Sequence, residues 1–200
     1  MATTASPYGF VPVKKADGTP FTQAQDSFPI KTAATNIGYG TIVSLSAGEV
    51  IMAAGTGANA VANNFGGSSV GALGIFVGCE YINAEGQLIF SQYYPASTAG
   101  ATAYVVTDPG VTFQVQSSGA VTAAKLGQNV NITGAQVSGD VNTTTGKSTK
   151  DVGAPATTLL PFKIVGFSDR SGSAAGDAKT DLLVKFNLAY HNYGTAFTAI

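Results

Sequence analysis

The chain has 200 residues, 44% of them hydrophobic and 10% aromatic, with a formal net charge of −1. A chain of this size buries roughly 70% of its unfolded surface in a core, so it is neither a disordered polymer nor a scaffold that depends on staples. Charged residues make up 10% of the sequence, against about 25% in ordinary soluble domains, which leaves no electrostatic footprint for wrapping nucleic acid.

With so few charges the surface has to be built from Ser, Thr, Asn, Gln, Gly and Ala. Such a surface lacks the usual protection against association and favours a protein covered by neighbours in an assembly. Cys79 is the single cysteine, which excludes an internal disulfide and any cysteine-based zinc cluster. MATTASPYGF has neither the charged nor the apolar part of a secretory leader, and no apolar run approaches about 18 residues. The expected product is soluble, made in a cytoplasm and without a membrane partner, so the glycosylation sequons at Asn131 and Asn142 read as chance matches.

Residues 1–26 open the chain with SPYGFVPVKKADGTPF, which has neither helical nor strand period and is expected to form an extended arm. From Ser27 the texture becomes short β-type runs divided by turn residues: FPIKTA (Phe28 to Ala33), GTIVSLS (Gly40 to Ser46) and EVIMAAG (Glu49 to Gly55). ALGIFVGCEYI (Ala72 to Ile82) and QLIFSQYY (Gln87 to Tyr94) flank Asn83-Ala84-Glu85-Gly86, a hairpin turn in which Gly86 supplies positive φ. TAYVVTD and VTFQVQS flank Pro109-Gly110, a second turn signal. In the latter run Val111, Phe113 and Val115 alternate with Thr112, Gln114 and Gln116, which predicts one face in a core and one in water.

Helix is nearly absent; GAVTAAKLG (Gly119 to Gly127) is the one short candidate, closed by Gly127. The stretch 128–158 is rich in small polar residues and is expected to be a long loop or surface hairpin. LPFKIVGFSD follows, with Gly166 suiting a bulge, and TDLLVKFNLAYH places Leu182, Val184, Phe186 and Leu188 on one face. The expected fold is all-β: an antiparallel sandwich or partly closed barrel, with arm 1–26, body 27–190 and tail 191–200.

Motifs for chemistry fail on their context. Gly67-Ser68-Ser69-Val70-Gly71 satisfies G-x-S-x-G, with His191 downstream in the hydrolase order, but no strand and helix flank Ser69 as a nucleophile elbow requires. Gly55-Thr56-Gly57-Ala58-Asn59-Ala60 with Glu80 imitates a dinucleotide fingerprint without room for its helix, and Gly146-Lys147-Ser148 lacks the glycine cradle of a phosphate loop. Asp169, Asp177 and Asp181 do not have the spacing of a calcium loop, and His191 reads as a packed ring. No catalytic, cofactor or metal site is expected.

Several blocks nevertheless resemble one family. The opening GFVPV (Gly9, Phe10, Pro12, Val13), the GALGIFVGCEY strand and AYVVTDPGVTFQVQ (Tyr104, Val105, Asp108, Pro109, Phe113, Val115, Gln116) are similar to the decoration, or cement, proteins of tailed-bacteriophage heads. The chain departs from that pattern in KKADGTPF and in an apparent insertion from Gly134 to Ala156. The resemblance implies a homotrimer on the outer surface of an icosahedral virion, bridging neighbouring subunits of the major capsid protein.

In that picture the arm, about 85 Å long if fully extended, reaches a neighbouring subunit. Tyr8, Gly9, Phe10, Pro12, Val13 and Phe21 then bury against the shell while Lys14 and Lys15 meet acidic groups, and three arms per trimer add avidity. Tyr193, Phe197 and Ile200 form a second tail that docks on a sibling subunit. The rival readings are a host-facing adhesion or head-fibre module that meets glycans through the 134–156 stretch, a tail-tube subunit, and a serine esterase using Ser69 and His191.

Overall fold

The computed structural model describes residues 4–53, 71–168 and 173–193. Among the described residues strands account for 42%, no helix reaches 7 residues and no sheet closes into a barrel, which fits an all-β sandwich. The turn residues set the strand limits. Strand β1 (Val11–Lys14) ends at the Ala16–Gly18 turn, and β2 (Asp26–Pro29), β3 (Ile37–Gly38), β4 (Ile42–Ser46) and β5 (Glu49–Met52) follow. The long β6 (Gly74–Ile82) is succeeded by β7 (Leu88–Ser91), β8 (Tyr93–Tyr94), β9 (Thr102–Val106) and β10 (Thr112–Gln116). A 3-10 turn at Ala123–Lys125 stands where the short helix was expected, closed by Gly127 at φ 84°. The last strands are β11 (Asn129–Val130), β12 (Val141–Asn142), β13 (Lys147–Ser148), β14 (Phe162–Phe167) and β15 (Asp181–Phe186).

One sheet has the order β1-β10-β15-β14-β11 and the other β2-β9-β6-β4-β5, with β7 also paired to β6; both are antiparallel throughout. The centre of the second sheet is buried on both faces, and the period of two in its strands divides the core. Ile42, Ile75 and Val106 face the first sheet, whereas their chain neighbours Val43, Phe76 and Val105 face a separate cluster with Ile30, Ile37, Leu73 and Tyr94. That is why GIFVGC reads as a continuous apolar run and not as an alternating one. Gly166 lies at a register shift in β14 against β15, the bulge its position suggested.

The opening segment is not a free arm. Gly9 turns the chain at φ 73°, Phe10 enters the main core with no exposed surface, and β1 pairs antiparallel with β10 as the edge of the first sheet. Phe10 stacks on Phe162 with ring centroids 4.5 Å apart, and Phe162 meets Phe186 at 4.7 Å. The chain then turns back on itself, Phe21 N–H donating to the Val13 carbonyl, and Phe21 packs against the same core. Sequence reading missed this because a segment with three prolines and no period pairs through only a few residues. It is held chiefly by the buried Phe10 ring, with Phe21 packed beside the core, and not by an amphipathic face.

Three other expectations change with it. Thr112, Gln114 and Gln116 do not face water, and residues 4–8 lie across the two glutamines. The Ser6 N–H donates to Gln116 Oε1 at 2.9 Å, and Gln114 Nε2 donates to the Tyr8 hydroxyl at 2.9 Å. The 128–158 stretch is not merely a surface loop, since Val130, Ile132 and Val152 belong to the main core, although β12 and β13 do form a small hairpin. Gln136 is buried within it and binds the edge of the second sheet, accepting from Ile42 N–H and donating to the carbonyls of Ile42 and Ala53. Lys150 pins the same stretch through a 3.0 Å ion pair with Asp140 and a hydrogen bond to the Thr133 carbonyl. Leu188 leaves the β15 face for a 3-10 turn and is 56% exposed.

The role of the opening segment is directly measurable. A Cβ at position 9 would meet Ser148 Cβ at 2.6 Å and the Gly40 carbonyl oxygen at 2.8 Å, so Gly9→Ala must displace backbone as well as occupy a strained φ. Phe10→Ala empties a filled site and is expected to cost about 3–5 kcal/mol in urea unfolding, and Gly9→Ala roughly 2 kcal/mol or more. Deletion of residues 1–26 is expected to abolish the cooperative unfolding transition, whereas removal of a free arm would leave the transition of the body unchanged.

Candidate functional site

The β6–β7 hairpin carries an apolar feature on the described surface. Beyond the point where β4 leaves it, β6 continues to Ile82 and pairs with β7 in the register Glu80↔Phe90 and Ile82↔Leu88. The turn between them is fixed by Asn83, whose Oδ1 accepts the Glu85 and Gln87 N–H groups at 3.1 and 2.8 Å, and by Gly86 at φ 78°. Cys79 and Tyr81 on the opposite face pack against the second cluster and anchor the hairpin to the body. The alternation therefore turns Ile82, Leu88 and Phe90 outward together, and they are 62%, 57% and 68% exposed.

These three side chains lie on the face of the second sheet that, nearer the centre, packs on the first sheet through Ile75 and Val106. The first sheet does not extend over the hairpin, so an apolar face continues past the core into solvent. Glu80 is the carboxylate on the same face, and it accepts a hydrogen bond from the Tyr104 hydroxyl at 2.8 Å, which holds its charge in place beside Phe90. β7 pairs only with β6 among the described residues, so its outer backbone edge is also open. Sequence reading marked QLIFSQYY as a strand without seeing that Leu88 and Phe90 point away from the core. The alternation Leu-Ile-Phe-Ser is apolar on both faces, and periodicity alone cannot say which face is covered.

The residues expected to touch a foreign lattice are mostly consumed by their own subunit. Gly9 and Phe10 are interior, while Tyr8, Pro12, Val13, Lys15 and Phe21 are half-buried; Lys14 is exposed. The Tyr8 hydroxyl donates to Asp181 Oδ1 at 2.9 Å, which holds its ring against the outer face of the first sheet. Tyr193 is 58% exposed and stands edge-on to His191, with ring centroids 5.6 Å apart. Phe197 and Ile200 lie outside the described residues, as do Ser69, Asp169 and the Gly55–Ala60 motif.

The residues with chemical potential are enclosed. Cys79 is 1% exposed, its thiol donates to the Tyr93 carbonyl, and burial pushes its pKa up to about 12. His191 has no exposed surface and sits edge-on to Phe186 at 5.0 Å. Its Nδ1 accepts the Tyr193 N–H, which places the neutral ring's proton on Nε2, and that atom is buried without a hydrogen-bond partner among the described residues. No group of three or more potential metal ligands occurs among the described residues, and no helix there is long and apolar enough to cross a membrane.

Burial lowers the His191 pKa from 6.5 to about 4, with the Asp108 charge and the Leu73 carbonyl only partly opposing it. The unfolded chain therefore takes up a proton first as pH falls, and the stability present above pH 6.5 is progressively lost down to about pH 4. The loss from this one group is about 3 kcal/mol, and replacing the ring with His191→Phe is expected to flatten that part of the profile. Urea unfolding of both proteins across this window measures the difference, with carboxylate titration common to both. No protein-family model matches the chain, and neither a curated protein nor a solved structure matches it.

Proposed function

We propose that this protein is a non-enzymatic virion structural protein that seats as a homotrimer on the outside of an icosahedral phage head. There it bridges neighbouring subunits of the major capsid protein. The observation that carries the reading is the outward face of the β6–β7 hairpin, where Ile82, Leu88 and Phe90 stand exposed together. A monomer in water gains nothing from such a face, and single burial of each of these side chains against a partner is worth about 1.5–3 kcal/mol. Because β7 also has an open edge, the same element offers main-chain hydrogen bonds to a strand from the shell.

The similarity of the GFVPV opening and the AYVVTDPGVTFQVQ block to head decoration proteins points to the same role. The 10% charged fraction suits a surface that spends its life against neighbours. In this reading the opening segment contributes by completing the body, and attachment falls to the hairpin. Three hairpins per trimer would raise a weak contact to a lasting one through effective concentration.

The test uses purified full-length protein and undecorated phage heads in a co-sedimentation assay. Phe90→Ser with Leu88→Ser is expected to lower shell binding at least about tenfold while leaving the thermal midpoint of the free protein within a few degrees, because the side chains removed are exposed. Wild-type binding by the double variant would reject the hairpin as the attachment site. Absence of binding by the wild-type protein would reject the decoration role.

A further inference from the structure

A cavity lies between the opening segment and the β12–β13 hairpin. It has a volume of about 560 Å³ and is lined by Ser6, Pro7, Tyr8 and Val11 of the opening segment and by Asn142, Thr145, Lys147, Ser148 and Thr149 of the hairpin region, together with Tyr39 and Gln92. That volume falls within the range of about 300–1,000 Å³ usual for small-ligand sites. The walls are tied together at Tyr39, whose N–H is shared by the carbonyls of Gln92 and Gly146 and whose carbonyl accepts the Ser148 N–H.

We propose that this groove binds a neutral saccharide. Two tyrosines from distant parts of the chain, Tyr8 and Tyr39, line it together, and ring faces are what the C–H surfaces of a sugar require. The remaining polar lining consists of side-chain amides and hydroxyls, groups that both donate to and accept from sugar hydroxyls. Lys147 is the one charged residue in the lining, so a phosphate or polyanion would find no clamp of the kind that basic clusters or paired arginines provide.

The hydrogen bonds of the lining fix Tyr8 and leave donors of Asn142 and Tyr39 for a ligand. The Tyr8 hydroxyl is engaged with Gln114 and Asp181, which fixes its ring in place. Asn142 uses Oδ1 to hold the Thr144 and Thr145 N–H groups of its own turn, and its amide nitrogen has no partner among the described residues. The Tyr39 hydroxyl likewise has none among the described residues, and burial raises its pKa above 10.0, which keeps it a protonated donor at neutral pH. The small polar stretch that carries β12 and β13 has no ring of its own; the fold supplies the rings from elsewhere in the chain.

The site is independent of the hairpin contact, and the experiment keeps the two apart. Full-length protein is examined by saturation-transfer NMR and calorimetry against maltotriose, cellotriose, chitotriose and mannotriose, each at millimolar concentration, with a heparin-derived trisaccharide as the anionic comparison. Binding of at least one neutral trisaccharide is expected, weakened at least about tenfold by Tyr39→Ala and by Asn142→Asp, which keeps the turn-holding oxygen but replaces the donor amide. Lys147→Thr is expected to leave that binding unchanged, and the Phe90→Ser, Leu88→Ser protein is expected to bind the sugar as the wild type does. No binding of any neutral trisaccharide overturns the proposal, as does neutral binding that survives both groove variants, or a preference for the anionic sugar that Lys147→Thr abolishes. If Tyr39→Ala fails to fold, Asn142→Asp on the exposed hairpin decides alone.

Discussion

The whole structure depends on Phe10 entering the space between the sheets. The ring closes a row of aromatic contacts with Phe162 and Phe186, and it can reach that position only because Gly9 and Gly40 pass each other without side chains, the Phe10 N–H donating to the Gly40 carbonyl at 3.0 Å. A single side chain thus ties the opening of the chain to the β3–β4 connection and to β14. Its position also fixes the path of residues 4–8, which cover the outer face of β10 and give Gln114 and Gln116 the partners that buried amides need.

The second constraint is the double burial of the centre of the β2-β9-β6-β4-β5 sheet. Strands covered on both faces cannot alternate apolar and polar residues, and Ile42 and Val43, Ile75 and Phe76, Val105 and Val106 each send one side chain to either cluster. Where β6 outruns the first sheet, the pattern continues but the cover stops. Ile82, Leu88 and Phe90 are what that mismatch leaves in solvent, and the proposed attachment is a use of it. The stretch 128–158 plays the opposite part: its valines and Ile132 complete the main core, while the hydroxyls and amides around β12 and β13 remain outside as one wall of a groove.

This arrangement recasts the mechanism implied by the family resemblance. An arm that becomes ordered only on a partner costs entropy at docking; a segment already folded into its own subunit makes no such demand. Presentation of a small apolar face, repeated by oligomerisation, is the alternative physical route to a lasting contact. The buried His191 and Cys79 act as packing elements in this body, and their desolvation rather than any partner sets their chemistry.

The order of turns and strands was legible in the chain. Asn83 to Gly86, Pro109-Gly110 and Gly166 mark breaks that depend on local φ preferences, and Leu182, Val184 and Phe186 show a period of two that only a half-covered strand needs, so the all-β class follows from local chemistry. The fate of residues 1–26, of Gln114 and Gln116 and of the 128–158 stretch did not follow, because each is decided by which distant segment happens to lie over it. Likewise Leu88 and Phe90 have the same local signature as core residues, and Tyr8 and Tyr39 are 31 positions apart in a sequence that gives no sign that they line one groove. Local preferences choose the strands; only the packing of sheets decides which faces are covered, and that balance of exposed and enclosed surface is where the candidate sites arise.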